Sequence, residues 1–346
     1  MFTPLSNRQT REFIDTMQLF EGVNETREKL KSYRGTMTFR NTAGHDYLVK
    51  WHYDGGKREA KVIGRRNSET EVLERDFNTG RKRLESRLKS IETNLAAQAK
   101  LNVAVGLGRL PEIAARILRA FERRGLSHDK FLVVGTNALY AYEALAGGSF
   151  DTQLVSTQDI DLLVDSRNAL KLAVQEEPDE QILLNSLQAA DRSFESANRS
   201  YRATNRNGYM VDFIKSQRNP PWAAEGLALP DSDLQPSPIE GLIWLENAPV
   251  IVQPVLDTKG FPVTMAVPDP RVFAIHKFWL SQKPERGIKA RRDKAQALAV
   301  AILVMNEMKH LPFDGRSLRM IPKDIFQHAK AAFEKEFSKQ PKREDF

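Results

Sequence analysis

The feature that most constrains this chain is six residues long. Asp159-Ile160-Asp161-Leu162-Leu163-Val164 reads as a strand whose side chains alternate, so Asp159 and Asp161 share one face while Ile160, Leu162 and Val164 share the other. Residues two apart on a strand lie roughly 6.5 to 7 Å apart along the backbone, and a shared carboxylate can bridge two ions about 3.5 to 4 Å apart. Such a pair suits magnesium, which prefers hard oxygen ligands. Taken alone, it equally fits aspartates that flank a strand end and face solvent. Asp212 shifts the balance. It stands inside Tyr209-Met210-Val211-Asp212-Phe213-Ile214, otherwise a core strand, where an ionised carboxylate is costly unless a cation or several donors meet it. Ser200 to Thr204 predicts a strand and Asn207-Gly208 a hairpin turn, which puts Asp212 on the returning strand.

A second phosphate-handling device precedes the first. Phe131 to Val134 predicts a short buried strand, stopped by Gly135, and a helix from Asn137 to about Ala146 that ends at Gly147 and Gly148. A helix opening directly after a strand offers free N–H groups and a positive dipole end, and Gly135 has no side chain to keep a phosphate away.

Together, Val134-Gly135-Thr136, Asp159-Ile160-Asp161-Leu162 and the isolated Asp212 resemble the nucleotidyltransferase superfamily with the DNA polymerase β-like palm, over roughly Leu101 to Met308. Within it the chain is most similar to a bacterial nucleotidyltransferase group and, more distantly, to the AbiEii-class toxins. Thr136 departs from the usual Ser or Gly but keeps a hydroxyl. The 24 positions from Gly135 to Asp159 exceed the usual spacing, and Gly147 to Thr157 should form a loop beside the site. The resemblance implies an α+β fold in which a mixed sheet with flanking helices forms the palm. It also implies metal-dependent transfer of a nucleotidyl group from a nucleoside triphosphate (NTP) to an acceptor hydroxyl, with release of pyrophosphate.

Under that resemblance Asp159 and Asp161 would hold a magnesium (or manganese) ion on the triphosphate, and Asp161 and Asp212 would share a second. Gly135, Thr136 and Asn137 would meet the phosphates. Lys277, on the apolar face of a helix expected over Arg271 to Ser281, would contact the triphosphate and pair with Asp293; alternatively Lys277 snorkels at the edge of its face and Asp293 stabilises its own helix start. His276 is assigned no role. The acceptor is expected to be an RNA end, tRNA first. A protein or an aminoglycoside-like small molecule would use the same palm, and a non-catalytic module binding a nucleotide or partner is the rival from another class.

Three regions are expected: an N-terminal β-meander and long helix over 1–105, the palm over 106–267 and a C-terminal helical lobe over 268–346. Residues 6 to 33 should be helical, with Phe13, Met17 and Phe20 as a stripe and an interruption near Gly22. Gly35 to Arg40, Tyr47 to Tyr53 and Glu59 to Ile63 predict the meander. Its aromatics are read as core rather than as a base-stacking platform, and Ser68 with Glu71 as a capping box opening a helix to about Ala99. That helix and the meander are the first candidates for RNA phosphate contacts. Further on, helices are expected over Arg167 to Val174 and Gln181 to Ala190, a proline-marked loop from Pro220 to Pro238, and strands over Gly241 to Leu245, Val250 to Leu256 and Pro262 to Val267. The final long helix, opened by Arg291-Arg292-Asp293-Lys294, should pack through Ala295, Leu298, Ile302 and Met305; beyond Pro312 a helix and a frayed tail are expected.

Composition removes several chemistries. With no cysteine there is no disulfide, thiolate zinc site or cysteine nucleophile, and a reducing cytoplasm fits. The longest apolar run, Ala297 to Met305, is far short of the ~18 residues of a membrane span, and no secretory segment is expected at the N-terminus. A net charge of +7 favours an acidic partner such as nucleic acid. Nothing fixes an oligomeric state.

Overall fold

The computed structural model describes residues 2–54, 57–126, 130–164, 181–197, 200–217 and 232–340. The helix expected over Arg167 to Val174, Pro220, Pro221 and Pro230 of the expected loop, and the last residues of the tail lie outside them.

Strand β1 (Phe2–Pro4) leads into helix α1 (Asn7–Lys31), capped by Ser6, whose side chain accepts from the Gln9 amide while Gln9 reaches back. The helix runs unbroken past Gly22. A Cβ there would sit 3.5 Å from Ile91, ordinary contact, so the glycine marks a close approach of two helices rather than a break. Strands β2 (Thr36–Thr42), β3 (His45–Asp54) and β4 (Lys57–Arg65) form the expected antiparallel meander. A register shift between Leu48 and Val49 breaks strict alternation, which is why these neighbours are both buried. Helix α2 (Ser68–Ala104) then packs along α1. Its N-cap is Asn67, not Ser68: Asn67 accepts from the Thr70 amide at 2.8 Å, and Thr70 returns to the Asn67 amide at 2.9 Å. The helix also continues past the expected Ala99.

Helix α3 (Glu112–Arg123) precedes β5 (Phe131–Val134), a 3-10 turn at Gly135–Asn137 and α4 (Ala138–Ala146), ended by Gly147 in the left-handed conformation. Where a loop was expected over Gly147 to Thr157, the chain forms β6 (Gly148–Phe150), which pairs with β1, and a single turn of helix, α5 (Thr152–Val155). Strand β7 (Asp159–Val164) follows, then α6 (Ile182–Ala190), β8 (Glu195–Ser196), β9 (Arg202–Thr204) and β10 (Met210–Ser216). Strand order is β5-β7-β10-β9-β8, with β7 and β10 parallel and the other pairs antiparallel. Strand β11 (Ser237–Ile239) runs parallel to the far half of β10. The fold is therefore mixed α and β, consistent with α+β.

Gly241 to Leu245 is not a strand. Gly241 takes a positive φ of 81° and starts α7 (Leu242–Glu246), whose Leu242 and Leu245 are buried three residues apart. A five-residue apolar run carries no periodicity that separates the two states. Strands β12 (Val250–Leu256) and β13 (Pro262–Pro268) form the expected hairpin, followed by α8 (Pro270–Leu280), α9 (Lys289–Glu307) and α10 (Lys323–Phe337). The buried seam of α9 holds Asp293, Ala297, Val300, Ala301 and Val304, whereas Ala295 is exposed and Leu298, Ile302 and Met305 are only half-buried. The helix lies against α8, α10 and α4 together, so its covered face is not a single stripe.

Below the central sheet Phe121, Phe131 and Phe213 cluster, with ring centroids 5.2 to 6.2 Å apart. Phe213 alternates with Asp212, so the packing that anchors β10 aims Asp212 at the opposite face. Asn67→Ala is expected to lower stability by about 1 kcal/mol and Ser68→Ala by a few tenths. Urea unfolding followed by far-UV circular dichroism checks this, since a larger loss from the serine variant would return the cap to Ser68.

Candidate functional site

Parallel pairing of β7 with β10 sets Asp161 beside Asp212 and Asp159 beside Met210. Paired residues on adjacent strands point to the same face, so Asp159, Asp161 and Asp212 all open on one cleft of about 280 Å³. Gly135 closes the end of β5 at φ 64°, and a Cβ on it would lie 2.0 Å from Asp161 Oδ2. The glycine is therefore required twice, by its backbone conformation and by the carboxylate against it.

The three carboxylates have different surroundings. Asp159 accepts from the Thr157 hydroxyl, and its backbone carbonyl accepts from Asn137 Nδ2 at 2.6 Å. Asp212 is buried, and both its oxygens accept from Arg202, at 2.6 Å each, in a bidentate pair that raises the Arg202 pKa. Asp161 receives a hydrogen bond from no described residue. Burial, then the charge of Asp159 and to a smaller degree that of Asp212, push it up to about 6, against the opposing pull of Lys277 and Lys289.

Helices α8 and α9 supply the other wall. Lys277, 8% exposed, donates to Asp293 Oδ1 at 2.7 Å, while Arg286 donates through Nε and Nη2 to Oδ2 of the same carboxylate at 2.8 and 2.6 Å. Burial alone would raise the Asp293 pKa; the charge of Lys277 and the hydrogen bonds from Lys277 and Arg286 outweigh it and hold the carboxyl below its usual range. Lys289 and Arg292 reach the cleft from the first turns of α9. One turn on, Gln296 donates to the Thr136 hydroxyl at 3.1 Å and to the Leu154 carbonyl at 2.8 Å.

The residues singled out in the sequence thus fall into two groups. Asp159, Asp161, Asp212, Thr136, Lys277 and Asp293 all line the cleft. Gly135 lies against Asp161, while Asn137 turns its side chain inward as a brace for Asp159. His276 is buried between Trp244 and Trp279, and burial followed by the Lys277 charge lowers its pKa to about 3, so it stays neutral. Sequence reasoning missed Arg202, Arg286, Lys289, Arg292 and Gln296. A signal was present for the last three: Lys289, Arg292, Asp293 and Gln296 recur at helical spacing in a basic stretch of the chain.

Among the described residues no group of three or more His, Cys, Asp or Glu side chains is assembled to hold a metal ion. Arg202 engages both oxygens of Asp212. Asp159 and Asp161 nevertheless fit a hard divalent cation, since Asp161 is a carboxylate pressed among others without a donor. No helix among the described residues is long and apolar enough to cross a membrane.

A profile of a family described as Nucleotidyltransferase matches residues 112–321, more than half of the chain and the segment that contains this cleft. No curated protein and no solved structure matches. Gly135→Ala is expected to keep the fold at a cost of about 1 to 2 kcal/mol for the left-handed backbone and to push the Asp161 carboxylate away from β5. A crystal structure of the variant with Asp161 unmoved would contradict the reading of that contact.

Proposed function

Since the chain belongs to the nucleotidyltransferase family whose profile spans residues 112–321, we propose that it transfers a nucleotidyl group from an NTP to an acceptor hydroxyl, on a palm of the DNA polymerase β type. The acceptor oxygen bonds to the α-phosphorus, the bond from that phosphorus to the α–β bridging oxygen breaks, and pyrophosphate leaves. The observation that carries this reading is the pairing of Asp161 with Asp212 on neighbouring parallel strands, facing a cleft whose other wall is cationic.

Magnesium bound there would neutralise triphosphate charge and lower the pKa of the acceptor hydroxyl. Asp159 and Asp161 would hold it, and Asp212 would join as Arg202 yields its oxygens. Lys277 and Arg286, fixed in place by one carboxylate, present positive charge to a leaving pyrophosphate without reorganising. Gly135 keeps the backbone close against Asp161, and Thr136, oriented by Gln296, offers a phosphate its hydroxyl beside that carboxylate.

For the acceptor we propose an RNA end, with tRNA first. A net charge of +7 and the exposed basic residues Lys289, Arg291, Arg292 and Lys294 beside the cleft favour a polyanion over a small neutral acceptor. Incubating the protein with each α-labelled NTP, magnesium and bulk tRNA should label the tRNA, while Asp161→Asn should fall to background with its circular dichroism spectrum unchanged. Unlabelled tRNA beside a labelled protein or small molecule would overturn the acceptor, and an active Asp161→Asn would overturn the role of the carboxylates.

A further inference from the structure

The cleft that holds the three aspartates is charged along most of its lining, yet one side of it is apolar. Ile214 follows Asp212 by two residues on β10 and so shares its face. Ile239, on the neighbouring β11 and 37% exposed, pairs with Ser216 and points the same way. Tyr201, 40% exposed, completes the patch at the end of β9. Single exposed apolar residues are ordinary, but Tyr201 and Ile239 stand exposed beside the buried Ile214 on one side of a cleft otherwise lined by charged and polar groups.

All three are held by backbone, not left on free loops. The Phe213 amide donates to the Tyr201 carbonyl at 2.8 Å, and the Gln217 amide donates to the Ile239 carbonyl at 3.1 Å. Gly241, at positive φ, turns the chain directly after Ile239, and a Cβ there would lie 2.7 Å from Trp279, so the turn is fixed by α8. The Arg202 guanidinium carbon lies 5.5 Å from the Tyr201 ring centroid; the same group grips Asp212, which ties the ring's position to the carboxylate site.

A ligand that fits this cleft is anionic at one end and flat and apolar at the other. We infer that Tyr201, Ile214 and Ile239 form the seat of the nucleobase of the bound NTP, with Tyr201 as its stacking surface. This rests on the nucleotidyl-transfer reading and extends it. The triphosphate lies toward Lys277, Arg286 and Lys289, and the base is held by contact area and not by hydrogen bonding. All four bases have a face to stack, so the seat accepts each of them.

The test compares equilibrium binding, by calorimetry in magnesium, of the four NTPs and of inorganic tripolyphosphate. Wild type should bind NTPs more tightly than tripolyphosphate. Tyr201→Ala should weaken NTP binding about tenfold and leave tripolyphosphate binding unchanged, which also shows that the cleft is intact. Tyr201→Phe should keep wild-type affinity, and Ile239→Ser should reproduce the selective loss from the neighbouring strand. NTP affinity unchanged in Tyr201→Ala, or an equal loss for tripolyphosphate, overturns the seat while leaving the transfer reading standing. A wild-type protein that binds tripolyphosphate but shows no preference for NTPs also overturns the seat, and one that binds neither overturns both.

Discussion

The structure of the site depends on one registered pairing. Because β7 and β10 run parallel with Asp161 opposite Asp212, two acidic groups 51 positions apart in the chain are fixed side by side by backbone hydrogen bonds. Everything around them follows from that juxtaposition. Gly135 must be glycine because Asp161 occupies the space of its Cβ. Phe213 must be large and apolar because it anchors, from below, the strand that carries Asp212 above. Arg202 is drawn across from β9 because a buried carboxylate beside another requires a counter-charge.

Charge balance explains the opposite wall. Asp293 is enclosed by Lys277 and Arg286, so one carboxylate orients two cations. Asp161 is left without a hydrogen-bond donor among the described residues. A structural ion-pair network would satisfy all of its carboxylates, whereas a site that binds a cation leaves one unmet. Lys277 and Asp293, paired at 2.7 Å, both line the same cleft as Asp161.

Much of this was legible in the sequence, for identifiable reasons. Alternation in β7, the hairpin turn at Asn207-Gly208 and the helix stop at Gly147 are local signals, and each reappears in the structure. Long-range consequences were not legible. The Arg202 pair depends on the residue-by-residue register of β9 on β10, which the turn signal alone does not give. The bulge at Leu48-Val49 depends on β4, and the seam of α9 on three neighbouring helices. At Gly241 to Leu245 the local signal itself was ambiguous, and Ser68 was displaced as cap by Asn67 because both residues can cap and only the path of the chain out of β4 decides between them.

The central claim is that Asp159 and Asp161 form a binding site for a divalent cation. Titrating the protein with manganese and following the free-ion electron paramagnetic resonance signal tests it without reference to any acceptor. The account predicts that wild type depletes the free signal and that Asp161→Asn leaves it at the level of buffer. Equal depletion by both proteins, or none by wild type, would contradict it.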